Sequence, residues 1–341
     1  MYDVITVGTA TRDVFLQAQG IKTLKDPEHL KSLGFEEGEA KCFAMGAKID
    51  IDQPIFGIGG GATNAAVTFS RQGFKTAAVI SIGSDQNGAE VKESLKNESI
   101  EPHISYSEDH GTGYSTLLLT PDGERTVLVY RGASNDLDLN QVPLSEFDTR
   151  WVYIVPSAIP FQEIAKIVDY LKAKGVKVAM NPSGFYLKMG AQKLSSILNK
   201  LDVVTMNRSE AASLTGVSYD DEAELFKVLN ELVPGIIVMS EGPKGVLVAN
   251  GGLRLRAGVF QEEKIADRTG AGDAFGSGFV ASLAKITDKN HLWSEEDLRE
   301  AIRLGSANAT SVVEKITAQA GILTAEQYQD PRWQNLEIKP I

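Results

Sequence analysis

The run Asp267-Arg268-Thr269-Gly270-Ala271-Gly272-Asp273-Ala274-Phe275 sets three small residues directly before an aspartate, with a helix-compatible stretch, Ala274 to Ala284, following. A turn this small leaves the first N–H groups of a helix uncovered, where the aligned peptide dipoles also favour negative charge. Such a spot accepts phosphate. It ends, however, in a carboxylate, which repels phosphate unless it has another task. The economical task is to take the proton from a hydroxyl that attacks the phosphate. Glycine-rich turns also precede helices for tight packing alone, and a lone G-x-G reads that way. The flanking Asp267 and Asp273, with Phe275-Gly276-Ser277-Gly278-Phe279 beyond, make a longer pattern that favours phosphoryl transfer.

Outward from this run, short apolar segments alternate with helix-period segments. Val4–Val7, Thr76–Ile82, Trp151–Val155, Val176–Met180, Val203–Met206 and Ile236–Met239 read as strands buried on both faces. Ala62–Gln72, Ala89–Asn97, Phe161–Lys174, Ala191–Asn199, Ser209–Leu214 and Glu222–Leu232 read as helices between them. The alternation predicts an α/β fold with a mostly parallel sheet covered on both sides, its ligands beyond the carboxyl ends of the strands. Ala274–Lys285 and Glu295–Ile316 make the last third helical, before a polar tail from about Gln327 that reads as a surface arm. Two insertions, about 14–57 and 103–131, break the pattern. The second contains Thr120-Pro121-Asp122-Gly123 between β-rich runs, a hairpin signal. Together the insertions read as a small β-sheet lid, and also as a dimer contact; a decorative hairpin is the alternative.

The composition narrows the partners. With 341 residues, 43% of them hydrophobic, the chain can build a sizeable core. A net charge of −11 argues against nucleic acid and anionic membranes as partners. Cys42 is the one cysteine, which excludes an intrachain disulfide framework and a cysteine-based zinc site. His29, His103, His110 and His291 lack metal-ligand spacing. The N-terminus does not read as a signal peptide, and no apolar run approaches the length of a membrane span, so a soluble cytoplasmic protein is expected.

Four further features have residue types suited to sugar hydroxyls, Mg²⁺ or phosphate. Gly57-Ile58-Gly59-Gly60-Gly61-Ala62-Thr63-Asn64 brings backbone close to a ligand and opens a helix with an amide suited to sugar hydroxyls. Read structurally, Asn64 is a helix cap. Asp13 follows the first strand and can hold two vicinal hydroxyls, or pair with Arg12 as a loop acid. Asn207 and Glu210, three apart at a helix start, offer the hard oxygen atoms that Mg²⁺ accepts beside nucleotide phosphates. They equally make a capping box. Ser240-Glu241-Gly242-Pro243-Lys244-Gly245 is either a tight hairpin or a nucleotide-phosphate loop.

Together, these runs resemble the PfkB or ribokinase-like family of carbohydrate and nucleoside kinases, in that family's order. The matches are Gly59 to Asn64, then Asn207-x-x-Glu210, then Ser240-x-Gly242-x-x-Gly245, then Asp267 to Asp273. The resemblance implies one ribokinase-like α/β domain with a small β-sheet lid, and phosphoryl transfer from ATP with Mg²⁺; many members respond to K⁺ and many dimerise through the lid. It implies that Asp273 is the catalytic base and that the amides of Gly270, Ala271 and Gly272 are the anion hole. Asn207 and Glu210 would position Mg²⁺ and phosphate. Ser240, Gly242 and Gly245 would line the nucleotide, with Asn308 near the adenine. Asp13, with Thr11 beside it, Gly60, Gly61 and Asn64 would hold the acceptor, a sugar or, as the second choice, a nucleoside. The chain departs from the pattern in places: Arg268 stands where the family usually has Thr. A strict ribokinase has lysine at Gly61, asparagine at Thr11 and an acidic residue near Val155-Pro156-Ser157, and its first insertion is shorter. Ribose is therefore not the implied acceptor by default.

Overall fold

The computed structural model describes residues 1–17, 22–34, 39–119, 125–288 and 290–341. Its strands are β1 (Tyr2–Gly8), β2 (Thr11–Gln17), β3 (Lys22–Lys25), β4 (Glu39–Cys42), β5 (Ile55–Gly59), β6 (Thr76–Gly83), β7 (Glu101–Ser107) and β8 (Gly113–Leu119). They continue with β9 (Arg125–Tyr130), β10 (Thr149–Val155), β11 (Lys177–Met180), β12 (Val203–Asn207), β13 (Ile236–Ser240), β14 (Val246–Asn250), β15 (Leu253–Ala257) and β16 (Ile338–Pro340). The central sheet runs β16-β15-β14-β13-β12-β11-β10-β1-β6-β7. It is parallel from β7 to β13 and antiparallel from β13 to β16. A separate sheet, β5-β2-β8-β9, and the hairpin β3-β4 complete the strands.

Burial on both faces explains why the central strands read as unbroken apolar runs. Ile5, Val7, Val152, Ile154, Val204 and Met206 pack toward the helices Phe161–Ala173, Ala191–Leu198, Arg208–Thr215 and Glu222–Leu232. Their neighbours Val4, Trp151, Tyr153 and Val203 face Gly61–Arg71, Ala271–Ala284 and Glu295–Val313. The last two helices approach closely because Gly278 lies against Gly305, and a Cβ on Gly278 would sit 3.1 Å from the Gly305 Cα. Phe279 beside it is fully buried, which contributes about 1.5–3 kcal/mol.

The predicted α/β architecture is present, with four local corrections. Asp13 does not close β1; it lies on β2, the first strand of the small sheet. Residues 103–107 belong to β7, paired with β6 in the central sheet, so the second departure from the alternation begins only after Ser107. The C-terminal stretch is not a surface arm. Tyr328, Trp333 and Ile338 are buried, and β16 pairs with β15, because a sheet edge and an apolar groove are both available to it. Asn64 lies inside its helix, whose N-cap is Gly60. The turn at 120–123 lies outside the described residues. No helix among them is long and apolar enough to cross a membrane.

Candidate active site

At the carboxyl ends of β1, β10, β12 and β13, the helix Ala271–Ala284 starts from Gly270. That residue adopts a left-handed conformation (φ 81°) and leaves the helix without a side-chain cap. A Cβ on Gly270 would lie 2.5 Å from the Ala318 Cβ, so glycine is required there twice over, for conformation and for space. The uncapped N–H groups and the helix dipole make the start of this helix an anion acceptor. Asp273 is in its first turn. Burial pushes its pKa up, and a hydrogen bond from Asn64 Nδ2 to Oδ2 (2.9 Å) pulls it part of the way back. In Asp267, Oδ1 accepts from the Thr269 N–H and Oγ, while Oδ2 is buried without a donor.

A cavity of about 270 Å³ joins Asp273, Gly270 and Gly272 to Asn207, Glu210 and Ser240. Asn207 and Glu210 form a capping box: Asn207 Oδ1 accepts from the Glu210 N–H and Glu210 Oε2 from the Asn207 N–H, both at 2.8 Å. Glu210 Oε1 is not used by the box. Its carboxyl is pushed up by burial and by the charge of Asp273, against the Asn207 amide that lowers it. The structural and the metal-binding readings of this pair are thus compatible, because the cap leaves Glu210 Oε1 and the second lone pair of Asn207 Oδ1 unused.

A second cavity of about 210 Å³ adjoins the first through Ser240, Arg268, Gly272 and Phe275. Gly242, Gly245 and Ala271 line it, and opposite them stand Ser306, Ala309, Thr310 and Val313, one face of the last long helix. Asn308 is not on that face. It is buried, donates to Ala274 O and Thr68 Oγ1, and accepts from the Leu323 N–H. Its placement near an adenine is therefore corrected to a structural bond between three segments. Helical periodicity puts 306, 309, 310 and 313 together and turns 308 away.

Toward the small sheet, Asp13 is buried, and Thr11 donates to its Oδ1 at 2.9 Å. Burial raises the pKa of Asp13, offset in part by hydrogen bonds from Thr11 and Ser115. Its Oδ2 occupies the place of a side chain at Gly59: a Cβ there would come within 1.9 Å. Gly60 packs on the Thr9 backbone, and a Cβ on Gly61 would meet Val155 Cγ1 at 2.3 Å. The glycines are thus accounted for by this chain's own packing, and Gly61 has no room for a side chain unless Val155 moves. Asn64 bridges the two sides, since its Nδ2 reaches Asp273 and its Oδ1 accepts from Gln319 Nε2.

Arg125, at the start of β9, lines the same cavity as Asp273 and Glu210, and no ion pair of the described residues includes it. Sequence reading missed it. It belongs to no motif, and only a fold that brings β9 over the helix start gives it a role. Asn181, just past β11, and Thr205, on β12, also line this cavity. A larger groove of about 460 Å³ lies at the opposite, amino end of the sheet, around Arg150, Trp151, Lys174 and Trp293, and contains none of the motif residues.

Residues 39–325 match the model of the pfkB family carbohydrate kinase. The ribokinase of Haemophilus influenzae is 31% identical over 276 residues, 79% of this chain and 85% of that protein. The cytidine kinase of Thermococcus kodakarensis is 30% identical over 262 residues, covering 75% and 88%. The solved structure of Arabidopsis thaliana ribokinase complexed with ribose and ATP superposes with a TM-score of 0.75 at 18% identity, covering 98% of this chain and 99% of that one. Its likeness bears on the fold. With a family match over most of its length and two relatives at 30% identity or more, this chain belongs to the pfkB family of carbohydrate kinases, phosphotransferases with a hydroxyl group as acceptor.

Proposed function

We propose that the chain transfers the γ-phosphoryl group of ATP to a primary hydroxyl of a sugar, with Asp273 as the base. The observation that carries this is the shared cavity. One buried carboxylate at an uncapped helix start lines a cavity with Asn207, Glu210 and Ser240, this cavity adjoins a groove lined by Ser240, Gly242 and Gly245, and Asn64 donates a hydrogen bond to the carboxylate. A nucleotide in the groove would lay its phosphates toward the amides of Gly270, Ala271 and Gly272, and the acceptor hydroxyl would approach from Thr11, Asp13, Gly60, Gly61 and Asn64. As the hydroxyl attacks, Asp273 removes its proton and the helix start takes up the charge that develops on the transferred group. Asn207 and Glu210 suit Mg²⁺. Glu210 keeps one oxygen free of the capping box, and the described residues have no cluster of three acidic, histidine or cysteine groups, as fits a metal that arrives with phosphate and water. Bound there, Mg²⁺ would neutralise phosphate charge. The buried, donorless Oδ2 of Asp267 fits a monovalent cation such as K⁺.

A nucleoside acceptor is the second reading. The relative named a cytidine kinase matches almost as well as the ribokinase, and Gly61 has no room for a side chain. A non-catalytic binding protein is a third, from a different class; the presence of Asp273 and the helix-start glycines argues against it. Release of ADP on a panel of sugars, sugar phosphates and nucleosides, with and without K⁺, separates the three. A sugar is expected to give the highest kcat/KM; a nucleoside in that place would support the second reading, and no acceptor-dependent release the third.

We further assign the small sheet as a lid and its β9 edge as a homodimer contact. Val127, Leu128, Val129 and Tyr130 are 38–58% exposed on a strand that, among the described residues, pairs on one side only. Leu128→Glu is expected to shift sedimentation from dimer to monomer; a native chain that already sediments as a monomer would contradict the assignment.

A further inference from the structure

The base is held by a side chain that is itself held. Asn64 is 4% exposed, so both ends of its amide need partners inside the protein. Nδ2 donates to Asp273 Oδ2 at 2.9 Å, and Oδ1 accepts from Gln319 Nε2 at 3.1 Å. Asp273, as a carboxylate, can only accept, so the polarity of the chain Gln319 to Asn64 to Asp273 is fixed along its whole length. Among the described residues no other side chain donates to the Asp273 carboxylate.

Gln319 is well fixed. Arg71, clamped by Glu98 at 2.6 and 3.0 Å, donates to the backbone oxygens of Gln319 and Ile322 at 2.9 Å each. Ala318, one residue earlier, packs on Gly270 at the helix start. Asn308 accepts from the Leu323 N–H at the far end of the same loop. One loop therefore touches both the glycine that opens the anion-accepting turn and, through Asn64, the base.

We infer that Gln319 is a positioning residue: by satisfying Asn64 Oδ1 it keeps Nδ2 on Asp273 Oδ2, which leaves Oδ1 for the acceptor proton. The inference rests on the reading of Asp273 as base. Without the Gln319 donor, Asn64 has an unpaired buried oxygen and is free to turn end for end, setting oxygen against carboxylate. A carboxylate at position 319 would go further, competing with Asp273 for Nδ2.

Kinetics of the full-length enzyme with its best acceptor test this. Gln319→Leu is expected to lower kcat about ten-fold and Gln319→Glu about a hundred-fold, with KM for ATP within about two-fold of native. In an Asn64→Ala background, Gln319→Leu should cost nothing further, because it acts only through Asn64. A loop that merely supports the fold would show the same loss in both backgrounds, and that result, or no loss in the native background, overturns the relay. Asp273→Asn measured alongside separates the two readings. If that variant keeps native turnover, the base assignment falls and the relay with it; if it is inactive while Gln319→Leu is unaffected, only the relay falls.

Discussion

Asp273→Asn is expected to fold, to bind ATP as the native chain does, and to turn over at least about a hundred-fold more slowly. The substitution keeps the shape and removes only the ability to take a proton. Its effect on stability should run opposite to its effect on rate. Burial raises the pKa of Asp273 in the folded chain, so between the ordinary carboxylate value of about 3.9 and the raised value the native state binds more protons than the unfolded one. Stability contributed by this group therefore falls as pH rises through that window, and at neutral pH the ionised carboxylate is a burden on the fold. The asparagine variant should melt at or above the native temperature at pH 7, with the difference gone below about pH 3.9. Native kcat should decline as pH falls through the raised pKa, because the base becomes protonated. Native-like turnover in Asp273→Asn would remove the base assignment.

Arg125→Ala is expected to lose about a hundred-fold or more in kcat, in line with the large effect of arginines on transferring phosphoryl groups. The residue comes from β9, so it reaches the cavity only while the small sheet lies over the helix start. Closure would then deliver a positive charge to the transferred group and exclude water together. Arg125→Lys should recover part of the loss, since it restores charge without the planar fork. The alanine variant should also hydrolyse ATP without acceptor at a larger share of its total turnover. An unchanged kcat would mean that β9 does not touch the reacting phosphate.

The central sheet was legible because strands buried on both faces leave short apolar runs, and helix-period segments fall between them. The glycine turn that opens a helix with Asp273 in its first turn was legible because its glycines and aspartate lie within seven consecutive residues, 267–273. What escaped depends on distant pairing. Nothing local to Thr11–Gln17 says that this strand leaves the central sheet to pair with β5 and β8. Ile338–Pro340 is too short and polar to announce itself as an edge strand; β15 determines that role. Asn308 was misplaced because a motif match gives a position along the helix, not the face it occupies. Arg125 and Gln319 reach the site from a strand and a loop 148 and 46 residues away from Asp273 in sequence, a separation that no periodicity reports.

Phosphorus NMR of the reaction with the best acceptor follows the transfer of phosphate to a hydroxyl itself. The expected spectrum gains one phosphomonoester resonance, coupled to two methylene protons and growing in step with ADP. Growth of inorganic phosphate alone, with no ester signal on any sugar or nucleoside of the panel, would contradict it.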